Sequence, residues 1–375
     1  MHPYQKNNNQ TLTMNTERKR VVVKVGSNVL TRPDGMLDIT RMSAIVDQVA
    51  ELRRCGMEVV LVSSGAVASG RSELHGTDCR RMDSVEQRQL FSAVGQAKLI
   101  NRYYELFREH HLVVGQVLTM KENFSTRRHY LNQRGCMEVM LENGVIPIVN
   151  ENDTVSVTEL MFTDNDELSG LIATMMDADT LVILSNIDGI FTGSPADPAS
   201  KLIAEVGPDD DLSGYIRAER SGFGRGGMIT KCGIARKVAD EGVEVIIANG
   251  KTDGILLRLL TGDGNARSTR FIPRREPVSS LKRWIAHSSD FAKGAIRLND
   301  KAVERICGEE SVSVLPVGIT AVEGSWEKDD LITILDSAGR PLGVGRASYG
   351  SSEAAGYIGR HDCRPLIHYD YLYID

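Results

Sequence analysis

The chain has 375 residues, of which 41% are hydrophobic and 25% charged, an ordinary balance for a globular protein of two or more domains. Its formal net charge of −6 gives no electrostatic reason to expect nucleic acid or phospholipid as a partner. Six cysteines without a C-x-x-C pair argue against a zinc ribbon or a disulfide framework and suit a reducing cytoplasm. No uninterrupted apolar run is long enough to span a bilayer, so no membrane association is expected.

The first 18 residues are polar and rich in Asn and Thr, which predicts a loose tail without the apolar core of a secretory signal. From Val21 to about Gly250, short β-branched runs alternate with helical patterns. This alternation predicts an α/β domain over residues 19–265, a three-layer αβα sandwich with a mainly parallel sheet. Ligands bind such sheets at the carboxyl ends of the strands. The six predicted strands are VVVKVG at 21–26, MEVVLVSSG at 57–65, LVVGQVLT at 112–119, GVIPIVNEND at 144–153, TLVILSNIDG at 180–189 and VEVIIANG at 243–250.

Lys24 interrupts the first apolar strand just before the turn at Gly26. A buried ammonium group is costly unless it is paired, so Lys24 is either a functional cation at the strand's carboxyl end or an edge-strand lysine that points to water. Ser64 follows the second strand in a similar position. It is either a helix cap or part of a turn whose backbone amides receive a carboxylate or phosphate.

The stretches VNENDTV and FTDNDELSG carry carboxylate and amide side chains after the fourth strand. Thr163 or Asp164 is suited to cap the helix that begins at DELSG. Three consecutive acid or amide side chains exceed what one cap needs. Asp166 is therefore the candidate to hold two lysine ammonium groups, and Asp153 and Asn165 are candidates to bind an α-amino group.

A glycine-rich loop, SGFGRGGMITK, leads into a helix predicted to begin near Met228. The loop lacks both the preceding strand of a dinucleotide fingerprint and the Gly-Lys-Ser/Thr ending of a Walker A sequence. Lys231 lies in or near the first helical turn, where the helix dipole disfavours a cation unless an anion such as phosphate sits among the amides. The alternative is an ordinary solvated loop with an exposed lysine.

Turn residues and charges predict a linker over residues 266–280. Residues 281–375 then show short strand candidates, among them SVSVLPVGI and LITILDSAGRPLGVGRA, with DSAGR (336–340) as a hairpin tip. This pattern predicts a small, mostly-β barrel. The same residues carry 11 Lys and Arg against 14 Asp and Glu, without a basic run, and this is a poor electrostatic surface for RNA.

Taken in order, VVVKVGSNVL, LVSSGAVASG, VNENDTV, FTDNDELSGLIA, LVILSNIDGIFT and GRGGMITK resemble the amino-acid kinase family, and within it the branch that phosphorylates glutamate. The tail from LKRWIA to GYIG resembles the PUA domain that follows the catalytic domain in that branch. The resemblance implies the amino-acid kinase fold. It also implies transfer of the ATP γ-phosphoryl group, with Mg²⁺ carried by the nucleotide phosphates, to the side-chain carboxylate of L-glutamate. The product would be L-glutamyl 5-phosphate, made in the first step of proline biosynthesis.

The resemblance also implies roles for individual residues. Lys24 and Lys231 match two lysines that flank the transferred phosphoryl group, and Asp166 matches the aspartate that organises them. The positions that match glutamate-binding ones are Ser64, Asp153 and Asn165. The positions that match nucleotide-binding ones are Lys24, Gly26, Ser185, Asn186, Arg225, Gly226, Gly227, Met228, Ile229, Thr230 and Lys231. No dedicated protein site for a metal ion is expected.

The sequence departs from many relatives at two places near the nucleotide. Ser185-Asn186 stands where they have Thr-Asp, and Arg225 stands where they have Thr. The resemblance further implies inhibition by proline and assembly into dimers or tetramers. Two other functions remain open from the sequence, namely a kinase of the same fold acting on aspartate, acetylglutamate or carbamate, and an RNA-binding protein led by the tail.

Overall fold

The computed structural model describes residues 19–74, 76, 82–124, 127–155, 162, 164–195, 197–212, 228–262, 266–274, 292–308 and 312–374. Within these residues the chain forms an α/β unit before residue 275 and a mostly-β unit after residue 291. None of the helices in these ranges combines the length and the apolar character that crossing a membrane requires.

The α/β unit is built on an eight-stranded sheet. The strands of this unit, in the described residues, are β1 (Arg20–Val25), β2 (Glu58–Ser63), β3 (Val114–Thr119), β4 (Ile146–Glu151), β5 (Thr180–Ser185), β6 (Ile190–Phe191), β7 (Leu202–Ile203), β8 (Glu205–Val206), β9 (Glu244–Asn249) and β10 (Ser268–Phe271). In space the sheet has the order β3-β4-β2-β1-β5-β9-β10-β8, and β6 pairs with β7 separately. All neighbours from β3 to β9 are parallel, whereas β10 is antiparallel to β9. The six predicted strands are therefore present, and the mainly parallel sheet is confirmed.

Helices cover both faces of this sheet. They are α1 (Ser27–Leu30), α2 (Ile39–Arg54), α3 (Ala66–Glu73), α4 (Ser84–Glu109), α5 (Arg127–Glu142), α6 (Asn165–Met175), α7 (Met228–Asp240) and α8 (Ile255–Leu260), with a 3₁₀ turn at Lys121–Phe124. Helices α1 to α4 and α8 share one hydrophobic core with the sheet, and α5, α6 and α7 share another on the opposite face. The three layers predicted from the alternation of strands and helices are thus confirmed.

The alternation of side chains along β1 decides which layer each of its residues meets. Val21, Val23 and Val25 lie in the core that contains α2 and α4, whereas Val22 lies in the core that contains α6 and α7. Lys24 has the parity of Val22 and therefore projects toward α6 and α7. Because β1 is a central strand, only 5% of Lys24 is exposed. The alternative of an edge-strand lysine that points to water is wrong.

Strand β10 lies within the predicted linker. Thr269 and Phe271 are buried in the sheet while Ser268 and Arg270 are partly exposed, the alternation of an ordinary strand with one covered face. It pairs antiparallel with β9 on one side and parallel with β8 on the other. The prediction of a linker over residues 266–280 therefore differs from the structure at these four residues, because a four-residue alternation among charged and turn-forming residues is too short to indicate a strand by itself.

The second unit contains one five-stranded sheet with the order β12-β11-β13-β14-β15. Its elements in the described residues are β11 (Gly294–Leu298), α9 (Asp300–Ile306), a 3₁₀ turn (Pro316–Gly318), β12 (Ile319–Gly324), β13 (Leu331–Leu335), β14 (Pro341–Arg346), α10 (Ser351–Tyr357), a 3₁₀ turn (Tyr369–Tyr371) and β15 (Leu372–Ile374). The core beneath the sheet includes Trp326, which is 3% exposed. The predicted hairpin tip joins β13 to β14, with Asp336 N–H donating to Arg340 O at 2.9 Å.

One predicted strand of this unit is wrong. In the described part of SVSVLPVGI, Val314 makes an isolated bridge with Ile367, and Pro316–Gly318 turn before β12 begins. Pro316 has no N–H to donate to a strand neighbour, so the chain cannot extend the ladder there. The mostly-β character of the unit as a whole is nevertheless confirmed.

Candidate active site

Three charged side chains meet at the carboxyl edge of the central strands. Asp166, in the first turn of α6, is fully buried. Lys24 Nζ lies 2.5 Å from Asp166 Oδ1, and Lys231 Nζ, from the first turn of α7, lies 2.7 Å from Asp166 Oδ2. The structure therefore brings together the two lysines and the aspartate that the sequence singled out, although they come from three separate elements.

The charge state of Asp166 follows from its surroundings. Burial alone would raise the pKa of Asp166, but the ammonium groups of Lys24 and Lys231 outweigh burial and lower the pKa to about 2. The carboxylate is therefore ionised at neutral pH. By contrast, burial and the neighbouring charge of Asp166 raise the pKa of Asp164.

Asp164, and not Asp166, caps the helix α6. Its carboxylate accepts hydrogen bonds from Asp166 N at 2.9 Å and from Glu167 N at 3.2 Å. The predicted cap at Asp164 is thus confirmed, while Thr163 lies outside the described residues. Because the cap is supplied by Asp164, the side chain of Asp166 takes no part in it and faces the two lysines.

Two glycines permit the close approach of the elements that carry this cluster. At Gly170 in α6 an added Cβ would lie 2.9 Å from a methyl group of Val238 in α7, so the two helices pack tightly. At Gly26 an added Cβ would lie 3.3 Å from Lys24 Nζ and 3.2 Å from Leu184 O. The absence of a side chain at Gly26 therefore leaves room for the Lys24 ammonium group.

An amide cluster adjoins the buried aspartate. Asn165 Nδ2 donates to Ser64 Oγ at 2.9 Å and to Asn150 Oδ1 at 3.0 Å, and Asn150 Nδ2 donates to Gln96 Oε1 at 2.8 Å. Ser64 is not a helix cap, because the N-cap of α3 is Gly65 with φ of 112° and no capping side chain. The structure thus places Ser64 and Asn165 in contact, next to Asp166.

Asp153 lies beside α4. Ser92 Oγ donates to Asp153 Oδ2 at 3.0 Å, and Arg88 Nε lies 3.5 Å from Asp153 Oδ1. Sequence reasoning missed Arg88, Ser92 and Gln96. The signal that could have found them is their spacing of four residues, which places three polar side chains on one face of the helix.

Some of the predicted nucleotide-binding residues are among those that the structure describes, and these lie at the same edge of the sheet. Gly26 N donates to Leu184 O at 3.2 Å, which places the turn after β1 beside Ser185 at the end of β5. Ser185 is buried and Asn186 is exposed. The start of α7 carries Met228, Ile229, Thr230 and Lys231. Three predicted residues lie outside the described part of the chain, namely Arg225, Gly226 and Gly227.

The sequence model of the amino acid kinase family matches residues 19–249, and the model of the PUA domain matches residues 294–367. The chain belongs to the amino acid kinase family. Among curated proteins it is similar to the glutamate 5-kinase of Bacteroides thetaiotaomicron, with 65% identity over 362 residues that cover 96% of this chain and 100% of the relative. It is also similar to the glutamate 5-kinase of Chlorobaculum tepidum, with 46% identity over 95% of this chain and 97% of the relative.

A solved structure supports the fold assignment. The carbamate kinase from Giardia lamblia bound to AMP-PNP superposes with a TM-score of 0.51 at 15% sequence identity, covering 69% of this chain and 99% of that one. At this identity the similarity concerns the fold alone. The predicted amino-acid kinase fold followed by a β-rich PUA domain is confirmed.

Proposed function

We propose that the protein transfers the γ-phosphoryl group of ATP to the side-chain carboxylate of L-glutamate and releases L-glutamyl 5-phosphate, the first step of proline biosynthesis. The observation that carries this proposal is the pair of lysines held by one buried aspartate at the carboxyl edge of the sheet. It is supported by similarity over nearly the whole chain to proteins named glutamate 5-kinase. The similarity favours glutamate over the other acids that kinases of this fold phosphorylate.

The proposed chemistry needs alignment and charge compensation. A glutamate side chain titrates near ~4.3 and is already a nucleophile at neutral pH, so no general base is required. The transition state spreads negative charge over the equatorial oxygens of the transferred group. Lys24 and Lys231 would bind those oxygens, and Asp166 would hold both ammonium groups in place before the substrates arrive.

The substrate and nucleotide sites are proposed on either side of the lysine pair. Ser64 and Asn165 would bind glutamate next to Asp166, and Asp153 would bind its α-ammonium group. ATP would lie against Gly26, Ser185, Asn186 and the segment 225–231. Mg²⁺ would enter on the nucleotide phosphates and neutralise part of their charge.

Hydroxylamine trapping tests the proposal directly, because an acyl phosphate reacts to a hydroxamate. We expect hydroxamate and equimolar ADP from L-glutamate with Mg-ATP, and background amounts from aspartate, acetylglutamate and carbamate. Absence of hydroxamate with glutamate, or a higher kcat/KM for another acid, would overturn the assignment.

We further propose a cytoplasmic protein that forms dimers or tetramers and is inhibited by proline, with a catalytic domain before the PUA domain. Light scattering after size-exclusion chromatography would measure the subunit number. Titration of the hydroxamate assay with proline would measure inhibition, and a flat response to proline would remove that part of the proposal.

A further inference from the structure

Arg88 and Asp153 place opposite charges side by side on the glutamate side of the site. Arg88 Nε lies 3.5 Å from Asp153 Oδ1, and the two side chains are 15% and 16% exposed. Both side chains are therefore largely, but not completely, buried. Their interaction is therefore stronger than that of an exposed surface pair.

The other oxygen of Asp153 is held from the same helix. Ser92, which is 2% exposed, donates to Asp153 Oδ2 at 3.0 Å. One turn earlier, Gln89 Nε2 donates to Thr154 O at 3.0 Å and ties the helix to the turn that carries Asp153. Helix α4 thus fixes both the position and the orientation of the carboxylate.

The charges of an α-amino acid favour a cation at this place. Its α-ammonium and α-carboxylate groups are attached to one carbon atom, so a substrate whose ammonium group binds Asp153 also brings a second carboxylate close to Asp153. The α-ammonium group offsets only one of these two negative charges, so a second cation beside Asp153 lowers the repulsion between the carboxylates. A guanidinium group has five N–H donors in a fixed planar fork, a geometry that can bind more than one carboxylate group at a time.

We propose that Arg88 is a substrate-binding residue whose guanidinium group pairs with the α-carboxylate of glutamate, while Ser92 positions Asp153 for the α-ammonium group. The inference rests on the proposed function, and it assigns recognition of the amino-acid end of the substrate to the polar face of α4. It predicts selection for substrates that carry a free carboxylate next to the amino group.

The test compares glutamate with isoglutamine, in which the α-carboxylate is an amide while the amino group and the reacting carboxylate are unchanged. For Arg88→Gln we expect KM for glutamate to rise roughly 10- to 100-fold, the scale of a lost hydrogen bond to a charged group. We expect KM for isoglutamine and KM for ATP to stay within about twofold, because isoglutamine has no α-carboxylate to pair with Arg88 and ATP is proposed to bind elsewhere. Arg88→Lys, which keeps the charge, should restore part of the preference for glutamate.

Lys98→Gln is the matched control, because it removes one positive charge from the same helix at a site where Lys98 is 44% exposed and pairs only with Glu73 among the contacts described. It should leave all three KM values unchanged. An equal rise of KM for glutamate and isoglutamine in Arg88→Gln would overturn the proposal, because Arg88 would then act only through Asp153. The proposal also fails if the unaltered protein accepts isoglutamine as readily as glutamate, a result that requires no variant to fold. Loss of the proposed function itself would look different, as glutamate would give no hydroxamate at all.

Discussion

Lys231 Nζ lies 2.7 Å from one oxygen of Asp166, a residue with no exposed surface. Lys24 contacts the other oxygen of the same carboxylate. The separation of the two ammonium groups is thus set by a single rigid group and not by two flexible side chains. Such preorganisation lowers the activation free energy of phosphoryl transfer, because the two ammonium groups are already in position when negative charge develops on the transferred group.

Replacing either lysine with alanine should therefore slow the chemical step. We expect Lys24→Ala and Lys231→Ala each to lower kcat on the order of 10²- to 10³-fold, the effect of removing one preorganised charge-stabilising group. Steady-state kinetics with glutamate and Mg-ATP measure this loss. Lys98→Ala on the exposed face of α4 serves as the control, and near-normal turnover in either of the two active-site variants would contradict the assigned roles.

Substitutions at Asp166 and at its neighbour Asp164 should have different effects, one on catalysis and the other on the capping of α6. Asp166→Asn removes the charge that holds the lysines but leaves the cap of α6 in place, so kcat should fall by about 10²-fold or more while the far-ultraviolet circular dichroism stays native. Asp164→Ala removes the cap, and it should cost about 1 kcal/mol of unfolding free energy with a much smaller change in kcat. A reversal of these two patterns would show that Asp166 is structural.

The lowered pKa of Asp166 predicts a loss of stability in acid. A carboxyl group whose pKa falls from 3.8 in the unfolded chain to about 2 in the folded protein stabilises the fold above pH 4. That contribution disappears as the pH falls through 2, and between pH 5 and pH 3 the protein should lose about 1 kcal/mol from this group. Urea unfolding at both pH values measures the loss.

The control for this experiment is Asp166→Asn, which should lack the part of the acid-induced loss of unfolding free energy that comes from Asp166. The protein with Asp166 and the Asp166→Asn variant should both carry Asp164→Asn as a background substitution. The reason is that the pKa of Asp164 is raised, so its titration changes stability in the opposite direction. Asparagine remains a good helix cap, so the background substitution is mild. Identical acid dependence in the two proteins would mean that the lysines do not depress the pKa of Asp166.

From the sequence, Lys24 is either a functional cation or an edge-strand lysine, and the central position of β1 in the sheet decides between the two. Alternation along an apolar strand gives Lys24 the parity of Val22, and a carboxylate is needed opposite a buried ammonium group. The acidic residues at the start of α6 were recognisable because they exceed the needs of one cap. The local sequence around the start of α6 is therefore sufficient to indicate Asp166.

The polar face of α4 could not be predicted in the same way. Arg88, Ser92 and Gln96 belong to a helix rich in polar and charged residues, where such side chains usually face solvent. Their contact with Asp153 and Asn150 depends on how closely α3 and α4 approach, which is a tertiary property. Strand β10 was missed for a related reason, because its pairing with β9 and β8, and not its own composition, makes it a strand.

The approach of α3 and α4 is governed by Gly95. An added Cβ at Gly95 would lie 1.8 Å from Ala66 O and 2.3 Å from Gly70 N, which are backbone atoms that cannot turn aside. Gly95→Ala should therefore force the helices apart, cost on the order of 1–3 kcal/mol of unfolding free energy, and raise KM for glutamate more than KM for ATP. Chemical denaturation and steady-state kinetics measure the two effects.

Gly135→Ala is the matched control, because Gly135 also lies inside a helix, α5, and an added Cβ there meets nothing within 4 Å. Alanine should stabilise that helix by about 0.5–1 kcal/mol through its lower backbone entropy in the unfolded chain. The same chemical change is thus expected to have opposite signs at the two positions. If Gly95→Ala were as stabilising as Gly135→Ala, a Cβ atom would fit between α3 and α4. The contact of α4 with Asp153 would then not depend on the close packing of these two helices.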